Sequence, residues 1–403
     1  MLELKEIYEA RDRIKDVILD TPFAFAPQMS KVSGIEVYLK KENLQITGAF
    51  KIRGAYNKIA SLDKSKMANG VIAASAGNHA QGVALSASKF GIRAVIVMPE
   101  STPLTKVNGV KQLGGEVILH GSNYDEAYGY ALEFGTKNSL TFIHPFEDEK
   151  VIAGQGTIAL DILEKCDNLD AIVVPAGGGG LISGIASAVK QINQDIKIIA
   201  VGASGAPALK NSFHSGKAQD SLSVRTIADG IAVRDTSKIT LSHMLGCVDE
   251  FISVDDEEIA SAILFLLEKQ KLVVEGAGSV GVAAVLHGKL EHLKGKKVAV
   301  VLSGGNMDVT LLNVIIEKGL LKSHRKMNIT VTLIDKPGSL KRFTEILEEL
   351  SANIVHISYD RTAISLDYGD ANVTVHMETK GEEHQVEIID RLKKEGYLKN
   401  KNI

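Results

Sequence analysis

Short β-branched runs that stop at glycine- or serine-rich turns and are followed by longer helical patterns constrain this chain more than any other feature. Val71 to Ala74, Ala94 to Met98, Val117 to Leu119, Ile172 to Val174, Ile198 to Val201 and Val298 to Leu302 are such runs. Several are apolar at successive positions, the pattern of parallel strands covered by helices on both faces. Strands alternating with helices predict an α/β architecture with largely parallel sheets over residues 1 to about 325. Ile7, Ala10, Ile14 and Ile18 recur at helical spacing and predict an opening amphipathic helix ended by Asp20-Thr21-Pro22.

The period changes after the basic stretch Lys322 to Lys326, which is suited to a linker. Ile329, Val331 and Leu333 alternate with polar residues, as do Ala371, Val373, Val375 and Met377, giving strands with one wet face. Leu340, Phe343, Leu347 and Leu350 mark one amphipathic helix, and Val386, Ile389 and Leu392 a second. The order β-α-β-β-α predicts a small α+β domain over residues 327 to 403.

A chain of 403 residues is too long for one core, and its 45% apolar and 24% charged content is that of a globular protein. A formal net charge of -3 provides no basic field, which argues against nucleic acid or an anionic membrane as partner. Cys166 and Cys247 are too few for a disulfide framework or a paired-cysteine metal site, and fit a reducing cytoplasm. Met1 to Ile18 lacks the apolar core of a signal peptide, and the apolar stretch Ala171 to Lys190 is broken by Pro175 and consecutive glycines, unlike a membrane span. A small-molecule partner is therefore expected.

Candidate chemistry collects at the turns. In the segment Glu42 to Lys51 a strand pattern gives way to a turn and a helix, placing Lys51 near the helix start beside Phe50. The dipole and partial desolvation there lower a lysine's proton affinity and suit covalent catalysis, although an isolated lysine on a helix is far more often a surface residue, so Lys51 alone proves nothing. Ser75-Ala76-Gly77-Asn78-His79-Ala80-Gln81 follows one strand and precedes a helix, so it reads either as a capped turn or as an anion site. Gly177-Gly178-Gly179-Gly180-Leu181 offers bare backbone to a phosphate. G-x-G-x-x-G spacing from Gly177 or Gly178 falls on Ile182 or Ser183, so a dinucleotide fingerprint is absent. Ser303-Gly304-Gly305-Asn306 ends the last strand of the region and presents a hydroxyl that can meet a ring nitrogen. His144, beside Pro145 and Phe146, reads as a packed histidine rather than a base.

These motifs, with Ala228-Asp229-Gly230 and Glu275-Gly276-Ala277-Gly278, are collinear with those of a known group. Residues 1 to about 320 resemble the threonine and serine dehydratases among fold-type-II pyridoxal-phosphate enzymes. The resemblance implies a large subdomain of about 1–53 and 148–325 and a small one of about 54–147. It also implies that Lys51 is catalytic and holds the cofactor aldehyde, that Phe50 flanks the ring and that Asn78 meets the ring oxygen. Gly177, Gly178, Gly179, Gly180 and Leu181 would bind phosphate, Ser303 the ring nitrogen, and Ser75, Ala76, Asn78 and His79 the substrate carboxylate. The implied reaction turns L-threonine into 2-oxobutanoate and ammonia, with L-serine giving pyruvate; a serine or threonine racemase and a non-catalytic amino-acid sensor are the alternatives.

Gly202 stands where relatives often carry Glu or Gln, so no metal ligand is carried over there, and a monovalent cation on backbone carbonyls stays open. Residues 327 to 403 resemble an ACT domain with its ferredoxin-like fold. This implies an amino-acid effector near the turn Asp335-Lys336-Pro337-Gly338-Ser339-Leu340 and a homodimer or homotetramer.

Overall fold

In the computed structural model, which describes residues 1–398, the chain separates into two compact units, Met1–Asp308 and Val309–Ile403. The larger sheet of the first unit has the order β1-β2-β10-β7-β8-β9. Its strands are β1 (Phe23–Phe25), β2 (Glu36–Lys40), β7 (Ala171–Pro175), β8 (Lys197–Ala203), β9 (Glu250–Val254) and β10 (Lys297–Val301). Only the edge pair β1 and β2 is antiparallel. The smaller sheet, order β5-β4-β3-β6, is parallel throughout and comprises β3 (Val71–Ala74), β4 (Ala94–Met98), β5 (Glu116–Leu119) and β6 (Thr141–Phe142). β3, β4 and β7 are buried along their whole length, which is why they read as unbroken apolar runs.

The expected α/β architecture is present, with local differences. The opening helix covers Leu4–Ile14 and buries Ile7, Ala10 and Ile14. Ile18 falls outside it, beyond a turn in which the Val17 amide meets the Ile14 carbonyl at 3.0 Å. Edge strand β9 was not expected from the sequence; its burial is mixed and it lacks a continuous apolar run.

Three helices set the spacing of the loops that leave these sheets. They are the lysine helix (Lys51–Ala60), the bridging helix (Glu149–Lys165) and the glycine-loop helix (Gly180–Ile192). Their backbones meet at glycines. A Cβ on Gly154 would lie 2.5 Å from the Arg53 carbonyl oxygen, and one on Gly54 would lie 2.6 Å from that of Val151. On the other side of the bridging helix, a Cβ on Gly184 would lie 2.3 Å from the Ile152 carbonyl oxygen, and one on Gly156 2.8 Å from that of Gly184. Helices at such distances admit no side chain between them.

The second unit starts with a helix over Val309–Lys322, earlier than the boundary expected at residues 325 to 327. That helix is tied to the following strand by Glu317 and Lys326, whose ion pair measures 2.7 Å. The polar stretch taken as a linker is a tight turn, closed by the Arg325 amide on the Leu320 carbonyl. β11 (Lys326–Ile334), β12 (Asn353–Asp360) and β13 (Asp370–Glu378) form an antiparallel sheet of order β11-β13-β12. Helices Ser339–Glu349 and Glu382–Lys394 complete the β-α-β-β-α order. Ile329, Val331, Leu333, Phe343, Leu347, Val373 and Val375 are in its core. The second helix buries His384, Ile388 and Leu392, while Val386 stays half exposed, so the expected stripe is corrected in phase. His384 holds that phase by bonding the Leu350 carbonyl at 2.8 Å.

Gly184→Ala is expected to lower the unfolding free energy by about 3 kcal/mol, since the added methyl meets backbone rather than a movable side chain. Urea denaturation measures this, and an unchanged midpoint would contradict so close a crossing.

Candidate functional site

The loops that follow β2, β3, β7 and β10 leave the carboxyl ends of their strands, where open α/β sheets form binding sites. Lys51 sits at the first position of its helix, after Gly48 turns the chain at φ +70°. This turn is joined to the loop after β10 by backbone bonds, Phe50 N–H to the Ser303 carbonyl at 3.0 Å and Gly305 N–H to the Gly48 carbonyl at 2.8 Å. Ser303 itself is buried. Lys51 Nζ donates to the Pro145 carbonyl at 2.9 Å and lies 5.2 Å from the Phe50 ring centre. Burial pushes this amine down to about 8, against the opposing pull of the Glu275 carboxylate.

The next residues, Phe146 and beyond, reach the glycine loop. A Cβ on Gly178 would meet the Phe146 ring at 2.4 Å, one on Gly177 the Ile231 Cα at 2.6 Å, and one on Gly179 the Thr240 hydroxyl at 2.7 Å. Gly179 has φ +85°, and the Thr240 hydroxyl donates to the Gly178 carbonyl at 2.9 Å. The loop is thus pressed into shape from outside. It leads into the glycine-loop helix, whose N-terminus has no side-chain cap, and Leu181 in the first turn is buried. An uncapped helix start with bare backbone favours an anion.

The loop after β3 supplies polar groups. Asn78 Nδ2 donates to Glu275 Oε1 at 2.7 Å, while Asn78 Oδ1 accepts from Asn306 Nδ2, also at 2.7 Å. Asn306 further donates to the Thr47 carbonyl at 2.8 Å, so the Asn78 amide is held in one orientation. Gly304 makes room for this arrangement, since a Cβ there would lie 2.3 Å from Glu275 Oε1. Burial, reinforced by Asp229, pushes the Glu275 carboxyl up to about 7, and the Asn78 bond opposes the rise. His79 is buried and donates from Nε2 to the Ile143 carbonyl at 2.8 Å. Burial and the charge of Lys51 pull it down to about 3, so it is neutral. Ser75 accepts from the Gly77 amide at 3.2 Å, and the helix that Asn78 opens is also without a side-chain cap. Ala76 is half-buried in the same loop.

Lys51, Phe50, Ser303, Asn78 and the glycine loop are therefore linked through Glu275, Pro145 and Phe146. An amine of lowered proton affinity, a flanking aromatic ring and a bare helix N-terminus fit a group that has an aldehyde, a ring and a phosphate. The profile of the pyridoxal-phosphate dependent enzymes matches residues 14–304. The chain belongs to that family. It is 49% identical to an L-threonine ammonia-lyase of Thermotoga maritima over 98% of each chain. Among solved structures it is similar to a processed threonine deaminase of Solanum lycopersicum, at 37% identity and TM-score 0.75, covering 79% of this chain and 89% of that one. A serine racemase of maize aligns at 36% identity and TM-score 0.75, covering 80% and 99%.

Within this pyridoxal-phosphate dependent enzyme, Glu275 and Asn306 stand in motifs noted in the sequence without a role; the structure puts both on Asn78. His144 packs as expected: its Nδ1 accepts the Glu147 amide at 2.7 Å, and burial pushes it down to about 4. At Gly202 a Cβ would come to 3.0 Å from the Phe251 ring, and no cluster of three or more His, Cys, Asp or Glu suited to a metal occurs among the described residues. No helix among them is long and apolar enough to cross a membrane.

The displacement of Lys51 from its ordinary 10.5 to about 8 has a thermodynamic sign. The folded state binds fewer protons than the unfolded chain between those values, so the burial cost is complete below 8 and is relieved toward 10.5. Cofactor-free Lys51→Met is expected to exceed the cofactor-free parent in stability at neutral pH by about 2 kcal/mol, less than the full shift because the residue keeps an opening to solvent. Denaturation at several pH values checks it; a difference that does not shrink in alkaline solution counts against the burial argument.

Proposed function

We propose that this enzyme deaminates L-threonine to 2-oxobutanoate and ammonia, and L-serine to pyruvate, with Lys51 as the catalytic amine. The observation that carries this reading is a half-buried lysine of lowered proton affinity, bonded to Pro145 next to the Phe146 that meets the glycine loop, and sharing Glu275 with Asn78. The full-length similarity to an L-threonine ammonia-lyase gives it its substrate.

Lys51 would hold the cofactor aldehyde, Gly177 to Leu181 its phosphate, and Ser303 its ring nitrogen, with Phe50 beside the ring. The remaining Nδ2 hydrogen of Asn78 would meet the ring oxygen. Bound there, the cofactor supplies electron withdrawal that acidifies the substrate Cα–H. Lys51, once its nitrogen is free, takes that proton; an amine near 8 combines a neutral fraction at physiological pH with useful basicity. Ser75, Ala76, Asn78 and His79 receive the substrate carboxylate at an uncapped helix start, and the neutral imidazole of His79 adds no competing charge. Ser303 offers a hydroxyl rather than a carboxylic acid, which favours loss of the β-hydroxyl over transamination. Water leaves in that step and is taken up again when the product is hydrolysed.

A racemase needs a second proton donor across from Lys51. Ala76 brings no such group to the carboxylate loop, and His79 is held neutral. A panel of L-threonine, L-serine and L-aspartate, scored for keto acid, ammonia and D-amino acid, separates the readings: keto acid with ammonia is expected. Lys51→Ala is expected to remove both turnover and the visible absorbance of the loaded enzyme; persistent turnover would sink the assignment of Lys51.

The C-terminal unit reads as an ACT domain that binds an amino-acid effector at the Asp335 to Leu340 turn and pairs with a second copy in a homodimer or homotetramer. Gly338, at φ +94° with open space where a Cβ would stand, keeps that turn accessible to a ligand. Removing residues 309 to 403 is expected to abolish effector response while leaving threonine turnover, and a truncated enzyme that still responds to added isoleucine or valine as the parent does refutes the assignment.

A further inference from the structure

We propose that a buried ion quartet, Lys40, Glu42, Arg53 and Asp161, is the positioning device that fixes Lys51 for proton transfer, an inference resting on Lys51 being the catalytic amine. Lys40 ends β2, Glu42 opens the 3-10 turn Glu42–Leu44, Arg53 lies in the first turn of the lysine helix, and Asp161 is on the bridging helix. Glu42 and Arg53 therefore bracket the segment that carries Lys51. The side chains of Lys40, Glu42 and Arg53 are 0% exposed and that of Asp161 is 15% exposed.

The geometry is a closed network. Arg53 grips Glu42 with a fork, Nε to Oε2 at 2.8 Å and Nη2 to Oε1 at 2.9 Å. It also reaches the bridging helix, Nη2 to Asp161 Oδ2 at 2.7 Å and Nη1 to Thr157 Oγ1 at 3.0 Å. Lys40 Nζ completes the ring on Asp161 Oδ2 at 3.0 Å and donates to the Thr21 carbonyl at 3.0 Å. The Thr21 hydroxyl bonds Glu42. Cations and anions balance, so the network leaves no net charge beneath the site.

Burying such ions costs desolvation that apolar residues of the same size avoid, so stability alone is a poor reason for them. What the fork gives instead is direction. A planar guanidinium bound at two points fixes the orientation of the turn relative to the helix, which a lysine's single point charge does not. The quartet makes no contact with the Lys51 amine, whose proton affinity is set by burial and Glu275. Its action on Lys51 runs through the backbone of residues 42 to 53.

The test uses full-length, cofactor-loaded Arg53→Lys and Asp161→Asn. Both are expected to lose about tenfold or more in kcat on L-threonine with KM within about twofold, the signature of a displaced reacting group. The visible circular dichroism of the bound cofactor is expected to change and uptake of pyridoxal 5'-phosphate by the cofactor-free protein to slow, while the pH profile of kcat keeps its limbs. If Arg53→Lys does not fold, the milder Asp161→Asn decides. A folded variant with parental kcat, circular dichroism and uptake overturns the proposal. Displaced pH limbs also overturn it, since they show an electrostatic effect instead. Failure of the Lys51 assignment shows separately, as turnover in Lys51→Ala.

Discussion

The backbone contacts of the bridging helix are the constraint on which the rest depends. On one side Gly154 touches the chain at Arg53 and Gly54; on the other Gly156 touches Gly184. The helix that begins at Lys51 and the helix that begins at the glycine loop are thereby held at a distance set by main chain. Side chains repack when perturbed, whereas peptide units in contact do not. In the proposed reading the Lys51 amine and the glycine loop engage two ends of one small molecule, and such a pair gains from this spacer, because an error of an ångström in their separation is costly to the chemistry.

The bridging helix also carries Thr157 and Asp161, which receive the Arg53 guanidinium. Mechanical and electrostatic fixation thus meet on one element. Glycines set how near the lysine helix approaches, and the guanidinium fork sets how it is turned. The segment between β2 and that helix has little regular structure apart from the short Glu42–Leu44 turn. Long-range bonds hold it, including those from Asn43 to the Val273 carbonyl and from Asn306 to that of Thr47.

Most of the fold was legible in the sequence because the central strands are covered on both faces and leave continuous apolar runs. The loops were legible because glycine, serine and asparagine at strand ends have local reasons to be there. Glu275, Asn306, Pro145 and the ion quartet were not, since their roles arise from contacts between residues up to 259 positions apart, as for Asn306 and Thr47. The boundary at Asp308 was missed for the opposite reason: the Lys322 to Lys326 stretch has a linker's composition but is a turn within a packed unit. Val386 misled because one apolar residue on an exposed helix face shifts the apparent period.

Charge around the Lys51 amine is arranged by subtraction. His79 and His144 are both held neutral by burial, so neither adds a positive charge beside Lys51. The quartet below cancels its own charges. Glu275 is the carboxylate that opposes the lowering of the Lys51 pKa, and its own burial pushes it up to about 7, so its negative charge is only partly present near neutral pH. Desolvation is left as the dominant influence on Lys51. A site built this way lowers the proton affinity of its amine by packing, so that a neutral fraction is available near physiological pH, and it needs no second cation to repel the proton.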